Sequence, residues 1–142
     1  MAIAQAVCNS FKQQILEAEH NFATGGNVFK LSLYTSAANL SASTTVYTST
    51  NEVANTGQYS AGGGTLTGQQ TSLDTGVAIV DFADLSFTGV TLTAAGALIY
   101  NTSASDKAVC VLDFGGDKTA TAGTFTIVFP AFTSANAILR IS

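Results

Sequence analysis

Ala108-Val-Cys-Val-Leu112 is apolar at every position, and it is followed by Thr124-Phe-Thr-Ile-Val-Phe129, in which Phe125, Ile127 and Phe129 share one face. A continuous apolar run of this length suits a central strand covered on both sides. Strict alternation suits a strand with one face buried. Working outward, Val77–Phe82, Val90–Thr93, Ala97–Asn101, Ala108–Phe114 and Ile138–Ile141 also read as strands. Ala94-Ala-Gly96, residues 101–106 and Gly115-Gly-Asp117 read as the turns between them, and Pro130 ends its strand. Short strands with frequent turns predict a mainly β fold, an antiparallel β-sandwich or a jelly-roll-like barrel.

Toward the N-terminus the period changes. Val7, Phe11, Ile15, Ala18 and Phe22 recur at steps of four and three, which predicts one α-helix over 4–22, stopped by Thr24-Gly-Gly-Asn27. Phe29, Leu31 and Leu33 then alternate with Lys30 and Ser32, as in a half-buried strand over 28–35. Residues 36–76 hold few large apolar groups. They read as loop, with Ser60-Ala-Gly-Gly-Gly64 a flexible arm and short strands near 45–50 and 65–67. The organisation expected is an N-terminal helix and connecting arm over 1–27 and a β-sandwich domain over 28–142.

Composition narrows the function. The 142-residue chain is 10% charged, against about 25% in ordinary globular proteins. Thr, Ser, Asn, Gln and Gly take the place of the missing charge, which suits a surface that neighbours cover. The net charge is −4 and the five cations are scattered. Nucleic-acid binding needs clustered cations to displace phosphate counterions, so none is expected. There is no apolar run long enough to span a membrane and no signal-peptide pattern, so the chain is expected to be made and kept in a cytoplasm until assembly. The sequons at Asn39 and Asn101 are then chance matches. Cys8 and Cys110 lack any metal-ligand spacing and read as buried free thiols.

No catalytic motif, cofactor site or metal site survives inspection. His20, the single histidine, reads as a polar residue at a helix end. A triad would need a positioned serine and acid, and no nucleophile elbow is present. Asp81 with Asp84, and Asp113 with Asp117, read as strand-end and turn aspartates bonded to nearby amides. Neither Gly62-Gly63-Gly64 nor Gly115-Gly116 is part of a phosphate-binding loop. Tyr34, Tyr47, Tyr59 and Tyr100 read either as interface groups or as a sugar platform, the former being the commoner use of such residues.

Several strings carry a resemblance. Phe29-Lys-Leu-Ser-Leu-Tyr-Thr-Ser36, Thr50-Asn-Glu-Val53, Tyr59-Ser-Ala-Gly-Gly63, Thr93-Ala-Ala-Gly-Ala-Leu-Ile-Tyr-Asn101, Ala108-Val-Cys-Val-Leu-Asp-Phe-Gly115 and Gly123-Thr-Phe-Thr126, with Asn9-Ser-Phe-Lys12 and His20-Asn-Phe22, together resemble a group of small virion structural proteins of tailed bacteriophages. The chain departs from that pattern at Phe87, where Trp is expected, and at Cys110, where Ala is expected. The resemblance implies a non-enzymatic head decoration or cement protein, a homo-oligomer read as a trimer. Its partners would be its own copies and the phage major capsid protein, and it would reside in the virion after assembly in the host cytoplasm. A tail or baseplate component and a virion-surface glycan-binding module are the alternatives. Tyr47, Tyr59, Gly62, Gly63, Gly64, Phe11 and Phe22 are the candidate interface residues, and the loop 54–76 the candidate shell contact.

Overall fold

A computed structural model of the chain describes residues 2–142. It is mainly β, with two antiparallel sheets and one helix in a sandwich-like arrangement, and neither sheet closes into a barrel. The elements in chain order are β1 (Ala6–Val7), α1 (Asn9–Leu16), β2 (Phe29–Tyr34), β3 (Gly64–Thr65), β4 (Gln70–Asp74), β5 (Val77–Asp81), β6 (Leu85–Asn101), β7 (Lys107–Ile127) and β8 (Leu139–Ile141). The larger sheet has the order β1-β7-β6-β2-β3, and the smaller the order β4-β5-β8.

Ala108–Leu112 and Thr124–Ile127 belong to one strand, β7, and Val128 and Phe129 lie just past its end. Gly115-Gly-Asp117 is a bulge inside it, not a turn. Between the pairs Ala94↔Lys118 and Gly96↔Asp113, β6 advances two residues while β7 advances five. Gly115 and Gly116 have φ of 77° and 148°, backbone that only glycine adopts freely, and this lets the strand swell and resume. Ala94-Ala-Gly96 likewise lies within β6, so β6 and β7 form one long hairpin that turns at Thr102–Ala104.

The helix is shorter than its periodicity predicts. Ala6 and Val7 pair with Val111 and Cys110 of β7, so the chain before Cys8 is extended. At the other end Ala18 takes φ 60°. The Ala18 N–H donates to the Ile15 carbonyl and the Glu19 N–H to the Gln14 carbonyl, the paired bonds of a Schellman cap. Glycine normally holds that left-handed position, and here alanine does, so the sequence carries no visible stop. Ala18→Gly should raise stability by about 0.5–1 kcal/mol, since a left-handed alanine costs more than glycine's extra chain entropy. A lowered midpoint in thermal unfolding would contradict this.

β2 is covered on both faces, and Ser32 is as buried as Leu31 and Leu33. The cover over one face is the segment that reads as loop. Val46 bridges to Lys107 of β7, Glu52 bridges to Tyr34 of β2, and Tyr47 stacks on Tyr100 of β6 between them. The chain therefore crosses the sheet from β7 to β2 in irregular form. β4, Gln-Thr-Ser-Leu-Asp, was not legible because four of its five residues are exposed; its partner β5 supplies the ladder. On the other side of β2, Phe22 stacks on Phe29 at 4.3 Å, with Phe82 edge-on at 5.9 Å. Cys8, Phe11 and Phe22 belong to the same core as β2, β6 and β7.

Candidate functional site

All four tyrosines gather around one carboxylate, that of Glu52. Its Oε1 accepts from the Tyr47 hydroxyl at 2.5 Å, and its Oε2 from the Tyr59 hydroxyl at 2.6 Å and the Gly62 N–H at 2.7 Å. The Tyr59 oxygen in turn accepts from the Leu33 N–H at 2.8 Å. Tyr34 donates to the Thr48 carbonyl at 2.7 Å, and Tyr100 donates to the Gly62 carbonyl. Bonds to a charged acceptor are about twice as strong as neutral ones. Glu52 thus ties the crossing segment to β2 and to the glycine turn.

Burial raises the pKa of every one of these phenols, and the Glu52 charge adds to the effect. Tyr34 is pushed up to about 12, first by burial. The hydroxyls therefore remain neutral donors, which is what the carboxylate requires. Three internal donors occupy Glu52. The Tyr47 and Tyr100 rings stack on each other at 4.8 Å, and Tyr34, Tyr59 and Tyr100 are buried. This packing does not support a sugar platform, which needs open ring faces.

The expected interface residues divide into two internal clusters. Tyr47, Tyr59, Gly62, Gly63 and Gly64 belong to the Glu52 network or its flank. A side chain at Gly63 would strike the Leu31 carbonyl at 1.8 Å, so the turn packs directly on β2. Phe11 and Phe22 lie 5.9 Å apart in the core. Tyr59, Phe11 and Phe22 are buried within the protomer. Glu52 was missed. Its one sequence signal is a lone carboxylate lying between Tyr47 and Tyr59.

His20 lies beyond the end of α1, not at a helix end, and it is buried. Asn101 Oδ1 accepts from the Ser103 N–H, so the Asn101 amide nitrogen is the donor to Asn27 Oδ1 and to His20 Nδ1, each at 3.0 Å. That leaves Nε2 carrying the proton, which it donates to Gln14 Oε1 at 2.9 Å. The ring is held neutral. Its pKa is lowered by burial first, with Glu19 opposing and Lys107 assisting. Because the unfolded chain binds this proton more readily, the contribution of His20 is complete above the unfolded value of about 6.5 and is lost as pH falls below it. The midpoint of the native chain should therefore drop more between pH 7 and pH 5 than that of His20→Gln. Parallel pH profiles would refute the assignment.

Cys8 and Cys110 are free and buried. Burial raises both thiol pKa values, that of Cys8 to about 11, so both stay protonated and unreactive. Asp113, at the bulge within β7, accepts from the nearby Gly115 N–H, whereas Asp84, between β5 and β6, accepts from the distant Phe129 N–H. Among the described residues no three His, Cys, Asp or Glu side chains group as metal ligands, and no helix is long and apolar enough to cross a membrane.

The far half of β7 has an open outer edge. β1 covers only Cys110 and Val111, and from Phe114 to Ile127 no strand among the described residues pairs with the outer edge. Beside this edge lies a mainly apolar hollow of about 520 Å³, lined by Phe114, Phe125, Ile127, Val128 and Ile138, with Asp113 and Lys118 also in its wall. Val128 is 72% exposed. No protein-family model matches the chain, and comparison with curated proteins and with solved structures returns no similar one.

Proposed function

We propose that this chain is a non-enzymatic structural protein of a tailed-phage particle, a decoration or cement protein that binds the major capsid protein shell and its own copies, as a trimer, after synthesis in the host cytoplasm. The observation that carries the reading is the open β7 edge with its apolar hollow. Unpaired N–H and C=O groups of an edge are a template for a neighbouring chain. The residues along it are mostly Thr, Gly and Ala, with charge confined to Asp117 and Lys118 at the bulge, so most of the edge can make neutral contacts without desolvating charge. The resemblance to small phage virion proteins supplies the particle.

A cement protein occupies repeated sites on an icosahedral shell, so purified particles should hold on the order of hundreds of copies, and tail-less heads should keep them. A baseplate part would number in the tens or fewer. Quantitative gel staining of both preparations decides this, and loss of the band from tail-less heads would move the protein to the tail. The purified chain should sediment as a trimer. Val128→Asp should shift it toward monomer without lowering its unfolding midpoint. A monomer at every concentration would remove the support that β7 gives.

A further inference from the structure

The segment between α1 and β2 is held down through one buried side chain, His20. Its ring meets aromatic surface on α1 and β2, with Phe11 at 4.9 Å and Phe29 at 6.5 Å. Both ring nitrogens are engaged. Nε2 donates to Gln14 Oε1 on α1, and Nδ1 accepts from the Asn101 amide nitrogen at the end of β6. The Asn101 amide is fixed from two further sides, because its oxygen accepts from the Ser103 N–H and its nitrogen donates to Asn27 Oδ1. Asn27 Oδ1 also accepts from the Asn21 N–H at 2.8 Å, which closes the loop 21–27 on itself.

This network has no arrangement that admits a second proton. A proton on Nδ1 turns the one acceptor of the ring into a donor aimed at a donor. Turning the Asn101 amide over offers its oxygen to the ring, but sets its nitrogen against the Ser103 N–H and its oxygen against Asn27 Oδ1. Turning Asn27 over as well moves that second clash to the Asn21 N–H. The charged groups near the ring are Glu19 beside it in the chain, Lys107 of β7, and Lys12 of α1, which lines the same groove. Glu19 is already paired with Lys107 at 2.7 Å. Phe29 of β2 and Asn101 of β6 are neutral, so the ring has no free anionic partner in place.

The way out is short. His20 borders a groove of about 780 Å³ between α1 and the three-stranded sheet. The segment bends through left-handed residues at Ala18, φ 60°, and Gly25, φ 80°. Its other polar ties lie toward the surface: Thr24 and Ala23 to Gln69, and Glu19 to Lys107. Ties of that kind exchange for water at little cost.

We propose that His20 is an acid-operated latch: a proton on its Nδ1 frees residues 18–27 from β2 and β6 and uncovers the aromatic surface beneath them. Phe22 leaves with the segment, and Phe11, Phe29 and Phe82, which pack against it, meet water. The strands stay paired, since β2, β6 and β7 are joined by their own ladders. Burial lowers the pKa of the latched ring, so the freed ring takes the proton first. Release therefore grows as pH falls below about 6.5, the value of a free imidazole. The latch is a property of the folded chain and does not depend on its place in a particle.

Amide hydrogen exchange read by NMR at pH 7 and pH 5, corrected for intrinsic rates, tests this, with the His20 ring carbon shifts followed on the same samples. The Asn21 and Asn27 amides should lose protection severalfold at pH 5, in step with protonation of the ring, while amides of the β6–β7 ladder keep theirs. The native chain should also bind severalfold more anilinonaphthalene sulfonate at pH 5 than at pH 7. His20→Gln keeps a donor and an acceptor but takes up no proton, so it should bind the dye equally at both. If that variant does not fold, the NMR of the native chain decides. A protonated ring with the 21–27 amides unmoved would overturn the proposal, as would a ring still neutral at pH 5 or an equal dye response from His20→Gln. Loss of protection in β6 and β7 together with the segment would also overturn it, in favour of global unfolding.

Discussion

Phe29→Ala should be the most damaging single substitution in the chain, at about 3–5 kcal/mol. Phe29 is wholly buried. Its ring lies nearly parallel to Phe22, at 7° and 4.3 Å, and edge-on to Phe82. Truncation removes the transfer free energy of the ring and leaves a void that rigid strands on either side cannot close. It also deprives Phe22 of its stacking partner, loosening residues 20–27 where they dock on β2. Domains of this size have about 5–15 kcal/mol of stability in all, so the variant should be partly unfolded at physiological temperature. Phe29→Leu, which fills much of the space, should cost well under half as much. Urea titration of the three proteins checks the order. A loss below about 1 kcal/mol for Phe29→Ala would mean that the two layers do not share one core.

Glu52→Ala should cost about 3 kcal/mol, although Glu52 lies in a segment with no regular secondary structure. Hydrogen bonds to charged groups contribute about 1.5–3 kcal/mol each. Removing the carboxylate strands the fully buried Tyr59 hydroxyl and the Gly62 N–H. Water can compensate for the third bond, from half-buried Tyr47, so Tyr47→Phe should cost only about 0.5–1 kcal/mol. Glu52→Gln keeps an acceptor but loses the charge and brings a donor toward donors, so it should fall between the two. Differential scanning calorimetry should give that ranking, with Glu52→Ala lowered by about 10 °C. If Glu52→Ala were silent while a sugar or peptide contact was lost, the network would be a binding site and not a brace.

The helix shows where reading a linear pattern fails. Phe11, Ile15 and Phe22 do turn toward the protein interior, as their spacing demands, yet Phe22 does so from outside the helix. Val7 and Ala18, the other members of the stripe, are exposed, so a stripe at steps of three and four reports neither that each of its residues is buried nor that every residue between them is helical. The left-handed Ala18 breaks the helix without the glycine that would announce it. The turns proposed at Ala94-Ala-Gly96 and Gly115-Gly-Asp117 fail for a related reason. Gly-rich stretches mark backbone that departs from ideal extension, and a bulge within a long hairpin meets that description as well as a turn does.

Local pattern alone determined the class of fold, the strands Phe29–Tyr34, Val77–Asp81 and Leu139–Ile141 to within a residue or two, and the burial of Cys8 and Cys110. Each is a matter of period and hydrophobicity, which neighbours in sequence carry. The tertiary structure alone decided the Glu52 network, the Asn101–His20–Gln14 chain, the pairing of β4, and which surfaces stay open. Those depend on partners up to 81 residues apart, and polar residues that look like loop become structural only when folding brings a donor to face an acceptor away from water.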